Sequence, residues 1–378
     1  MKTRYFLFIG MIILFFLSAC GNTNANNSSE VTHFAYQEVE NGKWGFMSVE
    51  GEVVVQPTFQ DMPTPVTDDM FFVPRQDGTY ELHNINEPEK IINANYTDVS
   101  SFSEGKAFVT RKGENISCSD KKGNVLFTLS QSFIGASTFS NGYSIVYAKD
   151  ELGYLECGYI DSKGTLIVPC QYEYASYFRN ERAFVLSENS QFLLIDKKGT
   201  KLTSINSDNS RETILCIRLN GEIWAAIEDD IIPYVANGAF GLKNMNGQII
   251  MEATPKYEVI TRSWNGYRIY KTENGYGIMD NLGKELIKDK YSFIGTCNTN
   301  NSKTFVACID NKWGILSMNE KQLCPFSYEH IIGFPQSSHF IAIKDGRTLL
   351  ITKTGEVKRQ FYRINTNNKG DIMIENNM

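Results

Sequence analysis

Any acid–base, metal or nucleophilic chemistry in this sequence must come from four histidines, 43 carboxylates and eight cysteines. The histidines, His33, His83, His330 and His339, are scattered, with no His-Glu-x-x-His and no pair at ligand spacing. Nucleophile-elbow, P-loop and dinucleotide fingerprints are absent as well. Beyond Cys20, the cysteines are Cys118, Cys157, Cys170, Cys216, Cys297, Cys308 and Cys324. An odd set without Cys-x-x-Cys is neither a disulfide framework nor a zinc site. Several sit in apolar runs ("FVACID", "TILCIRL"), where a thiol behaves as a small hydrophobe. They read as mostly free core thiols, with a Cys157–Cys170 pair left open. No metal and no cofactor is implied.

The carboxylates fall mostly at turn positions, where a short acidic side chain bonds nearby backbone N–H groups. Two segments stand apart by combining acids with tyrosine. "AKDELGYLEC" carries Asp150, Glu151 and Tyr154, and "EDDIIPYVANGAF" carries Glu228, Asp229, Asp230 and Tyr234. Both read as extensions of one type of connection, expected to emerge on the same edge of the molecule and to suit a cation, a glycan or a basic protein surface. In a second reading, Glu228, Asp229 or Asp230 serve as general acid or base of an exported hydrolase, which needs at least two carboxylates. In a third, the chain is a spacer. The net charge of −6 and the lack of a Lys/Arg cluster argue against nucleic acid as a partner.

What must position these residues is legible as self-similarity. A tetrad recurs nine times: "SVEG" at Ser48, "NINE" at Asn84, "DKKG" at Asp120, "DSKG" at Asp161, "DKKG" at Asp196, "NMNG" at Asn244, "DNLG" at Asp280, "SMNE" at Ser317 and "TKTG" at Thr352. Steps are 35 to 41 residues with one of 48, the latter marking a possible seam near 205–215. The first position is always Asp, Asn, Ser or Thr. The fourth is glycine in seven copies: Gly51, Gly123, Gly164, Gly199, Gly247, Gly283 and Gly355. A short polar residue opening the turn and a glycine in the left-handed region closing it define a hairpin with a G1 bulge. Short branched or aromatic runs flank each turn, as half-buried strands do.

Further columns keep the same period. An aromatic follows most turns (Phe59, Tyr96, Phe133, Tyr172, Tyr257, Tyr291, Tyr328). Pro57, Pro169, Pro255 and Pro325 precede four of them and fit strand ends better than strand middles. A third strand then starts in "SEGKAFV", "SNGYSIV", "RNERAFV", "NGEIWAAI", "WNGYRIY", "SKTFVAC" and "SSHFIAI". Before each turn lies a slot holding Trp44, Tyr80, Ile116, Cys157, Phe192, Phe240, Tyr276, Trp313 or Thr348, followed in five copies by Gly45, Gly158, Gly241, Gly277 or Gly314. Ring plus glycine reads as a packing device, letting ring and backbone of adjacent repeats approach closely.

"GKWGFMSVEGEVVVQPTF", "CGYIDSKGTLIVPCQY" and "SSFSEGKAFV" resemble the units of the bacterial WG-repeat (KWG) family, from about His33 to Ile374. The resemblance implies a repeat module, often carried by exported bacterial proteins, and supplies no catalytic residues. The fold expected is all-β, with tandem repeats of about 36 residues arranged like a propeller, an open β-solenoid being the alternative. A lone strand at His33–Gln37 and another in the final "DIMI" favour mutual closure of the ends.

The first twenty residues are a leader. Lys2 and Arg4 precede an apolar run, Tyr5 to Leu17, too short to span a bilayer. "LSAC" resembles a bacterial lipobox, which implies lipidation of Cys20; an ordinary cleaved signal or an uncleaved anchor is the alternative. Residues 21–32 read as a flexible tether and 33–378 as the repeat domain. The function expected is a membrane-anchored, non-catalytic module with a protein or glycan partner.

Overall fold

The computed structural model describes residues 32–178, 181–188, 191–204, 231–244, 247–261, 266–295, 304–334, 337–365 and 373–375. Within them the tetrads form the expected turns. In the fourth repeat, Asp161 Oδ1 accepts the N–H groups of Lys163 and Thr165, each at 2.9 Å, and Gly164 adopts φ +86°. Asp120, Asp196 and Asp280 repeat this pattern. Glu320, one of the two non-glycine fourth positions, takes φ +61°.

A complete repeat is a four-stranded antiparallel sheet, as in Phe133–Ala136, Tyr143–Lys149, Leu155–Asp161 and Leu166–Tyr172. These are the inner, second, third and outer strands, and the tetrad joins the last two. Successive sheets stack face to face around a ring, giving a β-propeller rather than a solenoid. The nine turns fall in eight sheets among the described residues. The numbers differ because Asn93–Val99 runs unbroken from the second repeat into the third, with Tyr96 opposite Tyr80 on one side and Arg111 on the other. In the sixth repeat the second strand is Ile231–Ala236, paired to Ala239–Asn244. The expected strand in "NGEIWAAI" lies outside the described residues.

The ends meet as expected, but indirectly. His33–Gln37 pairs with Arg363–Asn365 (Ala35 opposite Asn365, Gln37 opposite Arg363), and Met373–Glu375 adds on the far side. The last repeat thus supplies the inner strand of the first sheet. Across this seam Phe34 stacks on Phe334 at 5.6 Å, within a core completed by Tyr36, Met47, Leu350 and Phe361. Ser337 Oγ donates to Val49 O at 2.8 Å, and Glu50 lies 2.9 Å from His339 Nδ1.

The ring-plus-glycine slot has a different cause from the one expected. Trp44 and Trp313 are indeed buried. The glycine, however, makes room for its own repeat's outer strand. Trp44 opposes Phe59 while Phe46 opposes Val55, so two third-strand steps match four outer-strand steps. The surplus residues bulge toward Gly45, where a Cβ would stand 2.4 Å from Val55 O and 2.8 Å from Pro57 N. Gly158, Gly277 and Gly314 face the same two-residue bulge. At Ser117, Leu193 and Leu349, where a side chain occupies the position, the ladder continues without a bulge there, and opposite Glu81 the surplus shrinks to one residue. Pro57, Pro169 and Pro325 therefore sit inside the outer strands rather than at their ends, because a bulge frees them from donating to a ladder.

Two outcomes are expected. Gly45→Ala or Gly158→Ala destabilises the ring by about 2 kcal/mol or more in denaturant melts, since backbone has to move, whereas Ser117→Ala stays within about 1 kcal/mol. At the seam, burial pushes the Glu50 carboxyl up, but hydrogen bonds from Ser337, Ser338 and His339 outweigh it and hold the group below its ordinary value. Its stabilisation is therefore complete above the unfolded carboxylate range and disappears as pH falls through the lowered value. Glu50→Gln should flatten the acid limb of a stability-versus-pH curve relative to the parent.

Candidate functional site

The turns divide the ring into two rims. The tetrads and the turns between inner and second strands share one rim, since Lys106, which opens a second strand, opposes Asp120 of a tetrad. The hairpins between second and third strands form the opposite rim.

On the tetrad rim, side chains stitch each repeat to the next. Asp68 Oδ2 accepts the N–H of Gly105 at 2.8 Å, and Glu104 Oε2 that of Gly142 at 2.9 Å. The aromatic column does the same farther out. Tyr257 donates to Glu285 Oε1 (2.8 Å), Tyr291 to Glu320 Oε1 (3.0 Å) and Tyr328 to Gly355 O (3.2 Å). A column not recognised in the sequence closes five of the inner strands. Thr64, Ser100, Ser137, Ser176 and Thr261 each donate their N–H to a second-strand carbonyl and accept the same residue's N–H on their hydroxyl. Its near-36-residue period was available, but serine and threonine are too common elsewhere to mark it. These carboxylates and hydroxyls hold the ring together.

The opposite rim is shaped by Asp150. Its hairpin is the longest of its kind among the described residues, seven paired positions from Tyr143–Asp161 to Lys149–Leu155. Asp150 Oδ1 accepts the N–H groups of Leu152 (2.9 Å) and Tyr154 (2.8 Å), and Gly153 takes φ +83°. Asp150 thus forms a tetrad-like turn with one carboxylate oxygen. Glu151 is exposed beside it. The tip presents Leu152, Tyr154 and Leu155, which are 78%, 38% and 51% exposed. Tyr174 of the next repeat is 39% exposed nearby. Burial, then Cys157, Tyr177 and Tyr174, push the Tyr147 phenol up to about 12.

The second acidic segment is described only from Ile231 onward. Glu228, Asp229 and Asp230 lie outside the described residues. Ile231, which follows them, opposes Asn244 of a tetrad and so starts its strand at the other rim from Asp150. The expectation of one shared edge thus falls, for "EDD", outside the described residues; the first described residue after it, Ile231, lies at the rim opposite to "DELG". Tyr234 is a strand residue rather than a loop residue. It is 8% exposed, and its hydroxyl accepts the Ala253 N–H at 3.0 Å, with the ring laid over Gly241.

Burial disfavours the thiolate at each of the described cysteines. Burial pushes Cys118 up to about 12 and Cys324 to about 11. Cys157 and Cys170 are free, and they belong to the cores on opposite faces of their sheet, which rules out the pair left open by the sequence. Among the described residues, no group of three His, Cys, Asp or Glu is placed to hold a metal ion. None of their helices is long and apolar enough to cross a membrane.

The family described as WG containing repeat matches residues 44–80, 87–114 and 158–189. The chain thus carries a WG-repeat-like, propeller-forming domain. No curated protein matches it. Among solved structures, a eukaryotic initiation factor is similar at 11% identity and TM-score 0.52, over 88% of this chain and 96% of the other. The computationally designed Ika8 protein aligns over 88% and 100% at 13% identity and TM-score 0.43. BamB from Moraxella catarrhalis aligns over 88% and 97% at 11% and 0.37. The first of these supports the ring fold and carries nothing about activity.

Leu152→Ala and Tyr154→Ala should each leave the melting transition within about 0.5 kcal/mol of the parent. Tyr234→Phe should cost about 1 kcal/mol, because the Ala253 N–H loses its acceptor. Thermal denaturation followed by circular dichroism separates the two groups.

Proposed function

We propose that this chain is a membrane-tethered interaction module that binds a protein without transforming it. The supporting observation is the relation between the chain's entry point and the projecting hairpin. Thr32 bonds Val49 beside the first tetrad, so the tether joins the ring at the tetrad rim. With a lipid on Cys20 and the chain entering at Thr32, the tetrad rim is the one nearer the anchor and the opposite rim is the one farther from it. That rim carries the Leu152–Leu155 knuckle.

An apolar tip flanked by tyrosine, with Glu151 at its side, suits a protein surface bearing an apolar pocket and basic neighbours better than it suits a glycan. Catalysis is not part of this reading. The histidines are scattered in the sequence, burial disfavours the thiolates of the described cysteines, and Asp68, Glu104 and Asp150 hold turns and neighbouring repeats.

A photo-crosslinking side chain at Leu152 tests the proposal against one at Lys163, on the tetrad rim. In extracts of the cell envelope, the Leu152 probe should trap a discrete protein adduct that Tyr154→Ala reduces. Equal labelling at the two positions would sink it. Globomycin-sensitive processing and metabolic labelling with a fatty-acid analogue, both lost in Cys20→Ala, check the anchor separately.

A further inference from the structure

The outer strand of a repeat leaves a sheet edge, confined in the second repeat to the outer half of Asn93–Val99 because the other half pairs with Lys106–Arg111. The outward N–H and C=O groups of such an edge can template another chain. Most of these edges are guarded. Val53–Phe59, Leu166–Tyr172 and Gln322–Tyr328 carry a proline within a bulge. Ile249–Thr254 and Glu285–Tyr291 are bulged and charged, and the outer half of Asn93–Val99 is bulged with Asn95 at φ +65°. Lys201–Ser204 begins on a lysine, and Val357–Phe361 carries Lys358 and Arg359.

One described outer strand lacks every guard. Val125–Thr128 reads Val-Leu-Phe-Thr, with no charge, no proline and no bulge beyond the one belonging to its turn. It ends its sheet, and Val125 and Leu126 are 49% and 48% exposed. Phe127 anchors it by packing on Gly164 of the next repeat, and Thr128 bonds Ser117 at 2.9 Å. The edge is therefore rigid as well as open. Leu129 gives its N–H inward to Ile116 at 2.8 Å, so alternation turns that of Thr128 outward.

We propose that Val125–Thr128 is a strand-addition site that takes an extended polypeptide segment of a partner protein. An open ladder is satisfied only by another backbone, and alternate β-branched side chains on the segment would cover Val125 and Leu126. A second copy of this chain is the weaker occupant. A four-residue strand is about 14 Å long, and two such edges side by side bury far less than the ~1,000 Å² a specific dimer needs. A flexible segment needs no such area from the ring's curved flank. Lys121 and Lys122 precede the strand, which favours an acidic residue at that end of the segment.

This proposal rests on the interaction-module reading, but uses a surface separate from the Leu152 knuckle. The probe is a blocked, fluorescein-labelled peptide, Asp-Thr-Val-Thr-Val-Thr, titrated into the mature chain. Saturable binding is expected, with protection of the Thr128 amide from hydrogen exchange. Leu126→Lys, which adds the guard found elsewhere, should weaken binding about tenfold or more. Leu286→Lys, on a bulged outer strand, should leave it unchanged, and both variants should melt like the parent. Absence of saturable binding, or equal weakening by both variants, overturns the proposal. So does a dimer in sedimentation that excludes the peptide and dissociates in Leu126→Lys, because the occupant would then be a second copy. If the peptide fails while Leu152 crosslinking persists, the module reading stands and this site alone falls.

Discussion

A sheet of four short strands has two apolar faces and cannot bury either alone. Every repeat here depends on a neighbour at each side, and a linear stack would leave two faces open to water. Closure removes that penalty. The inner strand borrowed by the first sheet and the Phe34–Phe334 stack join residues some 300 positions apart, so the last contacts to form are those on which the others rely. The small links between repeats, carboxylate to glycine N–H on one rim and tyrosine hydroxyl to the following turn farther out, then act around a continuous circle.

Within that circle the glycine of the Trp-Gly pair serves the outer strand. A bulge opposite glycine twists the edge and spoils its register for any visiting strand. The name-giving motif is thus as much about what the ring refuses to bind as about packing. Of the four repeats without the glycine, the second keeps a one-residue bulge opposite Glu81. The other three keep a regular ladder at that position, two of them carrying lysine or arginine on the strand instead.

The repeat, its turn and the closing of the ends were legible because each is local: a polar residue and a glycine four positions apart, or an apolar run with no neighbour. The role of Gly45 was not, because its partner backbone lies eleven residues away and is shifted by two positions of register. The count of sheets was hidden for a similar reason, since nothing local in Asn93–Val99 announces that one strand serves two repeats. Candidate sites fared unevenly. Asp150 was found, but its carboxylate holds a turn, and what the hairpin offers is Leu152 and Tyr154. Tyr234 reads as a loop residue because the segment before Gly241 is an extension of its connection, whereas pairing with Gly241 makes it strand.

Both ends of the described chain enter the same sheet: Thr32 and His33 beside the first tetrad, and Arg363–Asn365 with Met373–Glu375 along its inner side. Any pull transmitted through the residues before Thr32 is therefore loaded directly onto the one sheet assembled from both ends of the sequence. The other sheets are each continuous in the chain and feel the force only after this one yields. Mechanically, the ring has a single clasp, and the leash is fastened to it.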